Sequence, residues 1–316
     1  MSTASPAASP AASPAAQTNA RIVDRGYRRY HGVRHGSGAA MGSVIRFTFQ
    51  RVIGLHRKAR YKIFPILTVV LAYVPAVVFV GVVVLTKRLP EGANADAVTG
   101  ELVARYTNYY SYMISAMILF VAFVGPEVLC PDRTNGMLGL YLASPLNRVT
   151  YLISKAGAMA LALSLVTIGP PLVILIGYTT QDYGPSGFAS WVATLGRLLL
   201  SGVALTAIYT AVAMAVSSLT TRRAAASATI LVLMVGLPIL LDGLVREARQ
   251  TQRLWLLSLF TMPQDLVYRI YDERSPFHRG RQPPLPTLEV VGSFFVWTTL
   301  AVLVLAWSYR RLRVTR

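Results

Sequence analysis

The chain has 316 residues, of which 54% are hydrophobic and only 14% charged, with a net charge of +18 and a mean hydropathy of +0.49. Soluble domains carry about 25% charged residues, and several apolar runs here approach the roughly 20 residues that cross a bilayer. Composition therefore excludes an ordinary soluble enzyme, and it turns the basicity toward a membrane surface rather than nucleic acid.

The lone Cys130 excludes an internal disulfide and a multi-cysteine metal site, and reads as a small buried hydrophobe. The chain opens on repeats of Ala-Ser-Pro-Ala that cannot bury enough surface to offset chain entropy, so residues 1–40 are expected to form a disordered, basic tail. It has no basic segment followed by an apolar one, so it does not read as a signal peptide. His31 and His35 stand at a metal-binding helical spacing, but Gly32, Gly36 and Gly38 argue against a helix there and no third ligand is near. Residues 41–62 form the first expected helix. From Ser43 onward Ile45, Phe49, Val52 and Ala59 share one face, and Arg46, Arg51, Arg57, Lys58 and Lys62 lie largely off it. A basic amphipathic helix beside a span is expected to lie in the headgroup plane.

Six spans follow, at about 63–86, 106–125, 152–178, 188–218, 225–245 and 288–309, which predicts an all-α membrane protein with residues 63–316 as its transmembrane domain. With the N-terminus inside, the inner segments hold 19 Lys and Arg and the outer loops 10, which places both termini in the cytoplasm of a multi-pass cell-membrane protein. Tyr106, Tyr109, Tyr110 and Tyr112 read as an aromatic belt at the outer interface. The segment 253–270 is too short for a span. Pro263 breaks it, and it is expected to dip into the outer leaflet or lie along it.

Between the second and third spans lies "PDRTNGMLGLYLASPLNR", on the cytosolic side of this topology. Asp132 and Arg133 stand at the mouth of span two. Thr134 or Asn135 offers a cap for a short helix, and Gly136 relaxes the turn before it. Met137, Leu138, Leu140 and Tyr141 form an apolar patch, Ser144-Pro145 stops the helix, and Arg148 and Lys155 lead into span three. A short helix with an exposed apolar patch fits a groove on a soluble partner.

In that order, Asp132–Arg133, Gly136-Met137-Leu138, Leu140-Tyr141-Leu142, Ser144-Pro145, Arg148 and Lys155 resemble the signature of type-2 ABC exporter permeases, with Met137 where the family usually has Thr. The lead-in "GYRRYHGVRHG" and "RKARYKIFP" look like actinobacterial members. The resemblance implies that 41–62 is the family's connecting helix, that the 132–155 residues named form a coupling helix docking in an ATPase subunit, and that 253–270 is the re-entrant outer segment. It further implies two ATPase copies and a second permease half, identical or related, within the lipid bilayer. No G-x-x-x-x-G-K-[ST] loop is present, so this chain is not expected to bind ATP itself, and nothing calls for a metal or other cofactor.

Within the spans, Arg197 and Asp242 are candidate pathway residues, because ionisable groups there are costly. Both stand near outer ends, where snorkelling reduces that cost. Ser111 and Ser115 are small polar groups suited to a helix seam or a pathway. A polytopic membrane enzyme is the alternative function, although neither H-E-x-x-H nor G-x-S-x-G is present. A membrane anchor that recruits a cytosolic protein is another.

Overall fold

The computed structural model describes residues 36–55, 62–88, 106–246, 251–273, 275 and 285–311, all helix or short connection, with no strand among them. In chain order the elements are α1 (Ser37–Ile53), α2 (Ile63–Thr86), α3 (Tyr106–Thr134), α4 (Leu138–Leu142), α5 (Arg148–Thr167), α6 (Gly169–Thr180), α7 (Phe188–Leu219) and α8 (Arg223–Leu231). A π-helical turn, Val232–Gly236, leads directly into α9 (Leu237–Arg246). A 3-10 turn, Gln252–Leu257, precedes α10 (Thr261–Ile270), and α11 (Thr287–Arg311) closes the order. Six of these stretches are long and apolar enough to cross a membrane: α2, α3, α5 with α6, α7, α8 through α9, and α11.

α3 is the central helix and packs on α2, α5, α7 and α8. Of its most apolar window 78% is buried, against 17% for α11, which presents most of its surface outward. This explains a departure from the expected aromatic belt. Tyr109 and Tyr110 turn inward, where Tyr109 donates to the Ala72 carbonyl at 3.0 Å and Tyr110 meets the Ser201 hydroxyl at 2.7 Å. Tyr106 packs on Tyr178 and Tyr271, and of the four only Tyr112 is exposed.

The helices extend beyond the expected spans at one end of the bundle. α3 was expected to stop at 125 but continues through Pro126 and Pro131 to Thr134. Proline removes an N–H, but both rings are buried against neighbouring helices, and that packing holds the backbone in line. α5 begins at Arg148 rather than 152, because Asn147 and Thr150 form a reciprocal capping box. The third span is two helices, since the backbone breaks at Ile168 before Pro170 and Pro171.

α1 starts at Ser37, earlier than the glycines suggested, and ends at Ile53 instead of running to 62. Gly54, with φ +84°, turns the chain and donates to the Arg51 carbonyl, while Leu55 donates to Gln50 at 2.8 Å. Val44, Thr48 and Val52 are its buried face, set mainly on α5. The tail before Gly36, with His31 and His35, and the cations Arg57 and Lys58 lie outside the described residues.

Pro263 starts α10 rather than breaking a helix. It sits in the first turn, where no intrahelical N–H is needed. The Ser258 hydroxyl accepts from the Thr261 amide at 3.0 Å, and Leu259 is held by the Tyr209 hydroxyl at 2.8 Å. The segment thus packs on α7 and α11 as a short turn followed by a helix.

Candidate functional site

α3 ends in a specific backbone motif. Gly136 has φ +62° and donates to the Arg133 carbonyl, while Met137 donates to the Asp132 carbonyl at 2.9 Å. These two bonds satisfy carbonyls that the helix end would otherwise leave unpaired. Gly136 therefore terminates α3, and the chain leaves directly into α4. Neither Thr134 nor Asn135 caps α4, whose first turn follows Met137 without a side-chain bond. The Thr134 hydroxyl is committed instead to the Cys130 and Thr221 carbonyls.

The same motif ends α1 at Gly54, which sets Arg51 in the last turn of one helix facing Asp132 in the last turn of another. Arg51 Nη1 donates to Asp132 Oδ1 at 2.8 Å. Lys155 Nζ lies 2.6 Å from Asp132 Oδ2, and the Tyr151 hydroxyl donates to the same oxygen at 2.9 Å. Asp132, Tyr151 and Lys155 are buried. A carboxylate at a helix C-terminus opposes the helix dipole. Asp132 is held there by Lys155, and either buried charge without its partner would be far more costly.

Tyr141 of α4 covers this node. The Lys155 ammonium lies 5.3 Å from its ring centroid, and the ring packs against Tyr151 at 5.2 Å. Burial, then the nearby Asp132 carboxylate, pushes the Tyr141 hydroxyl above its ordinary pKa, so it stays protonated. Leu140, by contrast, points away and is 69% exposed. A groove of about 360 Å³ runs between α1 and α4, with Phe47 and Leu140 on its exposed rim and Val44, Thr48 and Tyr141 beneath.

The flanks of α4 are tied to other spans. The Arg133 guanidinium donates to the Ser218 carbonyl at the end of α7, and the Ser308 hydroxyl of α11 donates to that carbonyl at 2.6 Å. Arg148 Nη1 donates to the Tyr309 and Arg310 carbonyls, at 3.2 and 3.4 Å, at the end of α11. Glu127 pairs with Arg223 across α3 and α8. Ser144 donates to the Tyr141 carbonyl at 2.6 Å, closing α4 just before the exposed Pro145.

The expected partner-binding set therefore divides. Asp132 and Lys155 are buried against each other beneath the short helix. Arg133, Leu138, Tyr141, Ser144 and Arg148 are half-buried, and Gly136, Leu140 and Pro145 are exposed. Arg51 and Tyr151 complete the node without having been singled out in the sequence. The available signal for Arg51 was its border position, beside Val52 of the apolar stripe.

The other candidates lie elsewhere. Ser111 and Ser115 are exposed on the far half of α3, and Ser111 meets the Tyr268 hydroxyl at 2.9 Å. Arg197 is exposed on α7. Asp242 is half-buried beside a cleft on α9. None of these joins the Asp132 node. No group of His, Cys, Asp and Glu among the described residues is arranged to hold a metal.

Six apolar spans, one of them the central α3, with a short helix seated on a buried ionic node at one end, define a multi-pass membrane protein. The chain belongs to the ABC-2 family transporter protein family, which matches residues 39–313. It is thus a membrane permease component of an ABC transporter, a transport subunit that is not itself catalytic, from a family that works with an ABC ATPase subunit. No curated protein matched the sequence.

Proposed function

We propose that this permease couples ATP hydrolysis on a separate ATPase subunit to export of its cargo, and that α4 is the coupling helix. The observation that carries this reading is the contrast within α4: Leu140 is exposed beside the α1–α4 groove, while Tyr141 locks the same short helix onto a buried carboxylate shared by α1, α3 and α5. An exposed anchor on a rigid mount can pass a push from a docked partner into three helices, whereas a flexible loop would absorb it. Further ties from Arg133 and Arg148 reach α7 and α11, so the motion has a path to most of the bundle.

On this reading the α4 end faces the cytoplasm, two permease halves pair with two ATPase subunits, and ATP-driven closure of the ATPases switches the spans between two access states. The positive charge of the inner segments supports the orientation. The test is to purify the tagged permease from its native membranes, place it in lipid, and follow ATP hydrolysis and ATP-driven cargo movement. Hydrolysis that co-purifies with the wild type, rises in lipid and is lost with Leu140→Asp supports the reading. A wild-type protein that holds no ATPase while fully folded favours the membrane-anchor or enzyme alternative.

A further inference from the structure

α11 is the least buried of the spans, and its outward face has an order of its own. Leu300, Leu303 and Trp307 are exposed at helical spacing, and the stripe they form ends on Arg310 and Arg311, one turn further on. The apolar part of such a stripe meets acyl chains. A tryptophan and two arginines at its end stand where those chains give way to headgroups. This is the end of the bundle that carries α4, because Arg148 at the start of α5 reaches the Tyr309 and Arg310 carbonyls.

Three features set this end apart from an ordinary solvated pair of charges. The Arg311 guanidinium lies over the Trp307 ring, 4.0 Å from its centre. That contact orders the side chain while its N–H donors, which point outward in the guanidinium plane, remain for an anion. Secondly, the last carbonyls of a helix commonly attract nearby arginines, but here Arg148 already meets those of Tyr309 and Arg310. Thirdly, none of Arg148, Arg310 and Arg311 is paired with a carboxylate among the described residues. Three cations thus gather at one helix end with their charge unanswered.

We propose that this end of α11 is a binding site for an anionic phospholipid, its phosphate held by Arg310 and Arg311 and an acyl chain lying along Trp307, Leu303 and Leu300. A lipid fits better than an acidic segment of a soluble protein, because the cations continue an apolar stripe on a membrane-spanning helix, which a soluble partner cannot follow. The site depends neither on cargo nor on ATP nor on which way the chain faces. To test it, the full-length protein is placed in phosphatidylcholine nanodiscs with a minor fraction of phosphatidylglycerol. In one set the phosphatidylglycerol carries bromine on its upper acyl chain. In the other an equal amount of the phosphatidylcholine does. Bromine quenches tryptophan on contact, and the part due to Trp307 is the part that a Trp307→Phe protein lacks.

Brominated phosphatidylglycerol should quench Trp307 more strongly than the same amount of brominated phosphatidylcholine. Arg310→Gln and Arg311→Gln should each lower that preference about fivefold, the effect of one cation near a membrane surface. Arg311→Lys keeps the charge but loses the planar fork, and should fall between. Arg46→Gln removes an exposed cation from α1, which packs mainly on α5, and should leave the preference unchanged. Equal quenching by the two lipids would overturn the proposal. So would an Arg46→Gln effect as large as that of Arg311→Gln, which would mark diffuse surface charge instead of a site. A Trp307 that neither lipid quenches would overturn it as well, and would assign the face to a second copy of the chain or a protein partner.

Discussion

The Lys155 ammonium stands 5.3 Å from the centre of the Tyr141 ring while its nitrogen is 2.6 Å from Asp132. One cation thus serves two roles: it neutralises the carboxylate below it and seats the short helix above it. The separation of Tyr141 from its neighbour Leu140 follows, since only one of two adjacent residues on a single turn can face this node.

The two residues should behave differently when truncated. Leu140→Ala removes an exposed side chain and should shift folding stability by no more than about 0.5 kcal/mol. At an interface hot spot it should still weaken ATPase retention by about 1–3 kcal/mol. Tyr141→Ala should lower the melting temperature as well as coupling, whereas Tyr141→Phe keeps the ring over Lys155 and should retain both. Melting and co-purified ATP hydrolysis, measured on each variant, separate these outcomes. Normal hydrolysis with Leu140→Ala would remove α4 as the docking element.

Breaking the node from one side should be severe. Asp132→Ala leaves Lys155 buried without a counter-charge, and a buried pair broken this way costs about 3–5 kcal/mol. Lys155→Met in the same chain should recover part of the loss, because no orphan charge then remains. Arg51→Ala, at a partly exposed position, should cost less than either single change. A double-mutant cycle on thermal unfolding in detergent reads the coupling, and additive single effects would show that the pair contributes little.

Gly136 tests the backbone. Its φ of +62° suits glycine, and no atom lies within 4 Å of where a Cβ would stand. Gly136→Ala should therefore cost about 1–2 kcal/mol through backbone strain alone. Gly136→Asn should cost less, since asparagine tolerates the left-handed region. The order Gly, Asn, Ala in melting temperature checks this, and Ala equal to Gly would refute the strain argument.

Orientation is accessible to labelling. Ser37, Asn147 and Ser186 are exposed. As single cysteines in a Cys130→Ser background, Ser186 should react with an impermeant reagent from outside intact cells, and the other two only after lysis. External labelling at Asn147 would invert the topology and end the coupling proposal.

The sequence carried the spans well because hydrophobic length depends on composition alone. α2 falls at 63–86 as expected, and α7 and α11 differ from expectation by no more than two residues. Where the reading went astray, a local signal was outweighed by packing. The second span is expected to end at 125, yet α3 runs on through Pro126 and Pro131 because neighbours enclose them. Pro263 read as a break and is a start. The aromatic belt turned inward because α3 is central, a fact of assembly that no window along the chain contains. Asp132 and Lys155 were legible from their places in the family-like signature, but their mutual contact and the part of Arg51 depend on α1, α3 and α5 meeting. The glycine turns at Gly54 and Gly136 arrange that meeting.

The Asp132–Lys155 contact also bears on how the chain is made. It joins consecutive spans, so the carboxylate leaves the ribosome before the ammonium that will neutralise it. A span that carries a lone charge inserts poorly, at a cost of about 2.5–3.5 kcal/mol for a charge at mid-span and less near an end. α3 and α5 are therefore suited to enter the bilayer together as a hairpin, with Arg51, synthesised earlier, waiting at the surface to close on it. A chain truncated after residue 134 should integrate α3 less completely than one truncated after residue 180, both extended by the same flexible linker to clear the ribosome, and Asp132→Leu should reduce that difference.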